Sequence, residues 1–256
     1  MVCGKVIPAS TVTIEIDPST KRMVRKGVPH ELDPAAASAV EEGLRLVEKH
    51  GGTVTLATMG TNDATIGIRS ALAMGVSSAV HLHDDKLAGS DTLGTAKALA
   101  AAIKQLQFDL VICSTEASDS YSGTVPGQIA HLLGIPPVTF AKEITVDGDR
   151  IAIKRQSENG YDVVEATLPV LVSVTSGINE PRYPQLKGIM AAKKKEIKIV
   201  TAADLGLGPE QVGESGAREK VLTVGRPPKR QAGKIVTDEG EGGKQIADFL
   251  AEIKVI

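Results

Sequence analysis

The stretch TVTLATMGTNDATIGIRSALAMGVSSAVHL, residues 53–82, decides the fold. Residues 53–58 are a short β-branched run that reads as a strand. Residues 63–74 carry apolar side chains at helical spacing until Gly75 stops them, and residues 79–82 form a second strand. The unit then repeats: Ser90 or Asp91 caps a helix with Ala96, Leu99 and Ile103 on one face, and residues 110–113 are the next strand. Strands separated by amphipathic helices predict parallel pairing, right-handed crossovers and a doubly wound, mostly parallel sheet. In such sheets ligands bind beyond the carboxyl ends of the strands.

Upstream, residues 2–7 read as a first strand ending at Pro8. An antiparallel excursion is expected from residues 11–16, returning at residues 22–28. Asp33-Pro34 supplies an N-cap with proline at the first helical position, and Ala36, Val40, Leu44 and Val47 follow at helical spacing up to Gly51-Gly52. Downstream of Pro136-Pro137 the texture changes. Residues 143–146 and 151–154 flank Asp147-Gly148-Asp149 and predict a hairpin, because Asp-Gly supplies the positive φ of a tight turn. Residues 163–166, 169–174 and 196–200 read as further strands.

The expected organisation is an α/β domain over residues 1–200 followed by an extended C-terminal arm over residues 201–256. The arm is rich in glycine, runs through Arg226-Pro227-Pro228-Lys229-Arg230, and ends in a helix with Ile246, Phe249, Leu250 and Ile253 on one face.

With 256 residues, 42% of them hydrophobic, the chain can bury a full core. Its 29 basic and 31 acidic side chains leave a formal charge of −2, which argues against a nucleic-acid binder driven by phosphate neutralisation. No export signal and no run long enough to cross a bilayer is read in it, so the expected compartment is cytoplasmic. Cys3 and Cys113 both lie in apolar strand-like runs and read as free, reduced thiols. Aromatic residues make up only 2% of the chain and tryptophan is absent, so a flavin ring would need another subunit to supply much of its pocket.

Chemistry is expected in two places. Residues 114–130, STEASDSYSGTVPGQIA, follow a strand and open a helix; small residues there admit close approach by a ligand, and a helix N-terminus favours phosphate. Neither a P-loop nor a G-x-G-x-x-G fingerprint occurs, and a Ser/Gly-rich turn of this kind is as often structural. The second place is residues 178–195, INEPRYPQLKGIMAAKKK, which read as a presented loop. Pro181 and Pro184 stiffen it, and Gly188 is expected to interrupt any helix starting near Gln185, leaving Leu186 exposed at a turn. The plainer alternative is a surface crossover with Leu186 buried and the lysines solvated. His81-x-His83 with Asp84-Asp85 lacks a third close ligand for zinc, and Glu41-Glu42 reads as a solvated helix face.

Asn179-Glu180-Pro181-Arg182-Tyr183 followed by Gly188-Ile189-Met190-Ala191-Ala192-Lys193-Lys194-Lys195 resembles the most characteristic segment of electron transfer flavoprotein beta subunits. Lys5-Val6-Ile7-Pro8, Asp33-Pro34, Met59-Gly60 and residues 68–75 are similar to other segments of that family. The resemblance implies a Rossmann-like, adenine nucleotide hydrolase-like fold. It implies a heterodimer with an alpha subunit that holds most of the FAD, and a C-terminal arm packing on that subunit. Cys3, Asp33, Met59, Gly60, Asp119, Ser122, Gly123, Thr124 and Val125 would line an adenine nucleotide site for AMP. Tyr183, Leu186, Ile189 and Met190 would dock acyl-CoA dehydrogenases or other flavoprotein dehydrogenases, with Leu186 as the central contact. Electrons would pass to an acceptor of the electron transfer flavoprotein–quinone oxidoreductase type and on to the respiratory chain, as in fatty acid beta-oxidation, without a catalytic side chain from this subunit. Three departures stand out: Pro126-Gly127 stands where many relatives read Gly-Pro, Thr124 where many have Gln, and small residues at Ser10 and Ala35 where relatives often place an aromatic side chain near one or the other, close to the flavin. The alternatives are an electron-bifurcating beta subunit holding a second FAD, or an adenine-nucleotide hydrolase or stress-type protein on the same fold.

Overall fold

The computed structural model describes residues 1–229, 233 and 235–256; Arg230 of the proline-rich stretch falls outside the described residues. The chain forms two compact units, Met1–Val221 and Leu222–Ile256. In the first, β1 (Val2–Cys3), β2 (Val6–Pro8) and β3 (His30–Leu32) precede α1 (Pro34–His50). Then come β4 (Thr55–Met59), α2 (Ala64–Met74), β5 (Ser78–Leu82), α3 (Thr92–Lys104), β6 (Leu110–Ser114) and α4 (Val125–Leu133). The strands β7 (Pro137–Asp147), β8 (Arg150–Ser157), β9 (Gly160–Thr167) and β10 (Val170–Val174) lead to α5 (Leu186–Ala192), β11 (Ile197–Val200) and the short α6 (Gly213–Gly216). The second unit carries α7 (Gly242–Glu252).

Nine strands form one sheet in the order β11-β5-β4-β1-β6-β10-β7-β8-β9. Every pairing from β11 through β7 is parallel, and β8 and β9 add an antiparallel extension. The doubly wound, mostly parallel α/β reading therefore holds. Every residue of β10 is buried, as the interior of a sheet covered on both faces demands. One core cluster gathers Leu56, Ile68, Leu72 and Val172, and a second gathers Val80, Leu82, Ile103 and Ile129. The hairpin forms at Asp147↔Arg150 with Gly148 at φ +60°, and its strands run further than the expected segments.

The first strand is not continuous. After the Gly4 N–H bonds the Ala57 carbonyl, the chain leaves the sheet and β2 pairs antiparallel with β3 instead. That ribbon lies on α2, where a side chain at Gly67 would come within 2.5 Å of Val6 Cγ2. The return expected over residues 22–28 is reduced to one bridge between Ile16 and Met23, with true pairing delayed to β3. Beyond Thr201, Ala202, Leu205 and Val212 are buried in the second cluster, and the Gly213 N–H donates to Ser90 Oγ. The boundary between the two units falls between Val221 and Leu222. Among the described residues no helix is long and apolar enough to cross a membrane.

Candidate functional site

The strand order turns back on itself between β1 and β6: from β1 the chain builds outward through β4 and β5, then β6 returns to the other side of β1. This is the switch point where doubly wound sheets open a crevice beyond their carboxyl ends. Cys3 ends β1 and Cys113 lies at its register position on β6; both are buried, free thiols. A hydrogen bond shared with Cys3, together with burial, pushes the Cys113 thiol well above its ordinary range.

Two aspartates organise the loops above. Asp33 is fully buried; its Oδ1 caps α1 by accepting from the Ala35 N–H at 2.9 Å and also accepts from Ser118 Oγ at 2.6 Å. Its Oδ2 accepts from the Ser118 N–H at 2.8 Å. One side chain thus starts a helix and pins the β6 loop to it. Asp119 accepts from Lys5 Nζ and, at 2.6 Å, from Arg25 Nη2. Burial raises the Asp119 pKa, but the two cations outweigh it and hold the carboxyl below its usual range. The trio carries one net positive charge, and Lys5 and Arg25 stay about one-third exposed. Such a crevice suits an anionic ligand.

On the β4 side, Gly60 follows Met59 and its carbonyl accepts from His81 Nε2 at 3.2 Å and His83 Nδ1 at 3.1 Å. The imidazoles stack with centroids 5.4 Å apart, and burial holds His81 below its ordinary pKa. The His-x-His pattern therefore fixes a turn. No group of three or more potential metal ligands gathers among the described residues. Ser122, Gly123 and Thr124 are exposed, Gly123 at φ +64°, and Val125 opens α4 without a side-chain cap from Thr124. Gln128 Oε1, one turn into α4, is buried without a partner while its Nε2 donates to Thr92 Oγ1. A buried acceptor of this kind fits a ligand N–H or a water. The residues at the crevice therefore fit a nucleotide: a positive trio, an open glycine turn and an unpaired acceptor.

The loop over residues 178–195 is fastened at both ends. Asn179 Nδ2 donates to the Ser38 carbonyl and to Glu42 Oε2, both at 3.0 Å. Arg182 donates to Glu41 through its backbone N–H, Nε and Nη2, and to Glu48 through Nη1 and Nη2. Glu41 and Glu42 are thus buried partners of this loop, not the solvated face expected from the sequence. At the far end Lys195 Nζ donates to the Leu72 and Val76 carbonyls at the end of α2, and Arg69 reaches the Ala192 and Lys195 carbonyls.

Gly188 does not break the helix, since it lies inside α5. A Cβ there would stand 2.3 Å from the Ala73 carbonyl oxygen, so the glycine is needed for α5 to lie on α2. Between the fastenings Tyr183 is 90% exposed, Leu186 76%, Met190 56% and Ile189 44%. Four large apolar side chains are thus held out to water on one fastened segment.

Lys5, Arg25, Ser118 and the two histidines belong to the crevice but were not read from the sequence as its functional residues. The alternation of His81 and His83 on one strand face was a visible signal; the others pair across some hundred positions and left none.

The fold defines a doubly wound α/β protein with a positively charged cluster at its switch point and an exposed apolar face on a fastened loop. The electron transfer flavoprotein domain model matches residues 20–205. The electron transfer flavoprotein subunit beta of Thermoanaerobacterium thermosaccharolyticum is 42% identical over 238 residues, covering 93% of this chain and 91% of that protein. The subunit beta of Mycobacterium tuberculosis is 43% identical, covering 91% and 90%. The caffeyl-CoA reductase-Etf complex subunit CarD of Acetobacterium woodii is 37% identical, covering 93% and 91%. The chain belongs to the family of electron transfer flavoprotein beta subunits.

Proposed function

We propose that this chain pairs with an alpha subunit to form a heterodimeric electron carrier, binds AMP in the crevice at the switch point, and docks reduced flavoprotein dehydrogenases through Leu186. FAD, held mainly by the alpha subunit, supplies the electron-carrying chemistry. The residues of this chain bind and orient. Lys5 and Arg25 offer positive charge to the AMP phosphate, Gly123 lets the backbone approach it, and Asp33 keeps the β6 loop in place. Cys3, Met59 and Gly60 form the floor and wall for the adenosine, with Asp119, Ser122, Thr124 and Val125 around the phosphate. Tyr183, Ile189 and Met190 widen the docking face around Leu186. The proposed setting is the cytoplasm, with acyl-CoA dehydrogenases as donors in fatty acid beta-oxidation and a quinone oxidoreductase of the electron transfer flavoprotein type as acceptor.

The observation that carries this reading is the fastened loop, with Leu186 exposed between two anchored ends in a chain of this family. The test is Leu186→Ala in the heterodimer: transfer from a reduced acyl-CoA dehydrogenase slows while bound FAD is unchanged. Loss of FAD instead means that the loop is architectural. A second reading, with FAD in place of AMP, draws on the similarity to a subunit of a reductase complex. Chromatography of the ligands released on denaturation separates the two: one FAD and one AMP per heterodimer, or two FAD and no AMP.

A further inference from the structure

We propose that Arg182 is a positioning residue for the docking face, holding Tyr183, Leu186, Ile189 and Met190 in one arrangement before the partner arrives. The inference rests on the reading of that face as the dehydrogenase contact. Large apolar side chains on a short loop ordinarily fold back onto the nearest apolar surface, and freezing a loop at the moment of binding costs conformational entropy. A face already fixed in the free protein avoids that cost and binds faster and more tightly.

The geometry around Arg182 is built for fixing. Its guanidinium bridges Glu41 and Glu48 on α1, and its own backbone N–H also bonds Glu41, so backbone and side chain are held by the same carboxylate. Glu41 is only 4% exposed and takes a further bond from Arg45 Nε at 2.8 Å, which keeps it aimed at Arg182. Arg45 also reaches the Glu180 carbonyl. The next two residues are Tyr183 and Pro184, whose ring limits φ, and α5 follows with its seat on α2 set by Gly188. The orientation of the four apolar side chains is therefore set by one fork at the front and one helix seat at the back. Lysine cannot replace this fork, because a single ammonium has no planar set of donors to match two carboxylates.

The test uses the heterodimer, with an acyl-CoA dehydrogenase reduced by its substrate as the electron donor. Arg182→Lys keeps the charge beside buried Glu41, and Glu48→Gln removes only the exposed half of the clamp, so both variants should fold. Arg182→Lys is expected to raise KM for the dehydrogenase about tenfold with kcat within about twofold and flavin content unchanged. Glu48→Gln should give a smaller rise in KM, and both should speed amide exchange over residues 179–192. Because Leu186 is the central contact of the face that Arg182 positions, adding Arg182→Lys to Leu186→Ala should raise KM by a smaller factor than Arg182→Lys does alone. If Leu186→Ala raises KM and Arg182→Lys does not, the clamp only stabilises the fold and the proposal fails while the docking reading stands. Fully additive effects of the two substitutions also overturn it. An unchanged KM in Leu186→Ala removes the docking reading and this proposal with it.

Discussion

Arg182 and Glu41 lie 141 positions apart and share three hydrogen bonds, at 3.2, 2.8 and 3.2 Å, which tie the loop before α5 to the middle of α1. Burial pushes the Glu41 carboxyl up, but Arg182 and Arg45 together hold it below its ordinary value. Arg182 likewise lowers Glu48 and is itself raised by both carboxylates.

Both carboxylates ionise more readily in the folded protein, so their contribution is complete above the ordinary glutamate pKa of about 4.3 and is lost as pH falls through the folded values. In that window the unfolded chain binds more protons, and stability falls with acid. Urea unfolding midpoints should drop between about pH 5 and pH 3. Glu41→Gln should lower stability at neutral pH by roughly 1–3 kcal/mol and flatten the acid limb. An unaltered acid limb in that variant would show that the cluster contributes nothing to the slope.

Gly188→Ala tests the helix seat. Its Cβ would need space held by the Ala73 carbonyl oxygen at 2.3 Å, so α5 must lift from α2. The expected cost is about 1–3 kcal/mol, visible as a fall of several degrees in Tm, together with a raised KM for the dehydrogenase. A variant with unchanged Tm would mean that α5 does not depend on this close approach.

Asp33 links the start of α1 to the loop that should hold the nucleotide. Asp33→Ala removes a helix cap worth about 1 kcal/mol and also frees Ser118. Asp33→Asn retains an acceptor for the cap but cannot accept from Ser118 with both of its side-chain atoms. AMP recovered from the purified heterodimer should fall in the order wild type, Asn, Ala. Equal AMP in all three would place the ligand elsewhere.

Cys3 and Cys113 meet on adjacent strands beneath the crevice, and both are buried. Iodoacetamide should modify neither in the folded protein at neutral pH and both in denaturant. Labelling of the folded protein at the rate of an open thiol would show that the crevice floor admits solvent.

Much of this molecule is legible along the chain. Residues 53–113 announce alternating strands and helices because each element buries one stripe, and the stripe repeats with the element's own period. Asp33-Pro34 marks a helix start because cap and φ restriction are local, and Asp91 caps α3 for the same reason. Gly148 turns the hairpin as a positive φ requires. The motif around Arg182 is legible as family resemblance, and Leu186 is exposed as the residues around it predict, although it opens α5 and not a turn.

The sequence by itself determined the elements, their class and the family, since backbone propensity and side-chain periodicity act over a few residues. Only the tertiary structure decided which charges are buried. Glu41 looked solvated until Arg182 arrived from 141 positions away, and Asp119 is balanced by Lys5 from 114 positions away and Arg25 from 94. Gly188 looked like a helix breaker because local propensity cannot see the Ala73 carbonyl that a side chain would strike. Ion pairing and close approach depend on which distant surfaces meet, and that is settled when the sheet assembles and its covering helices dock.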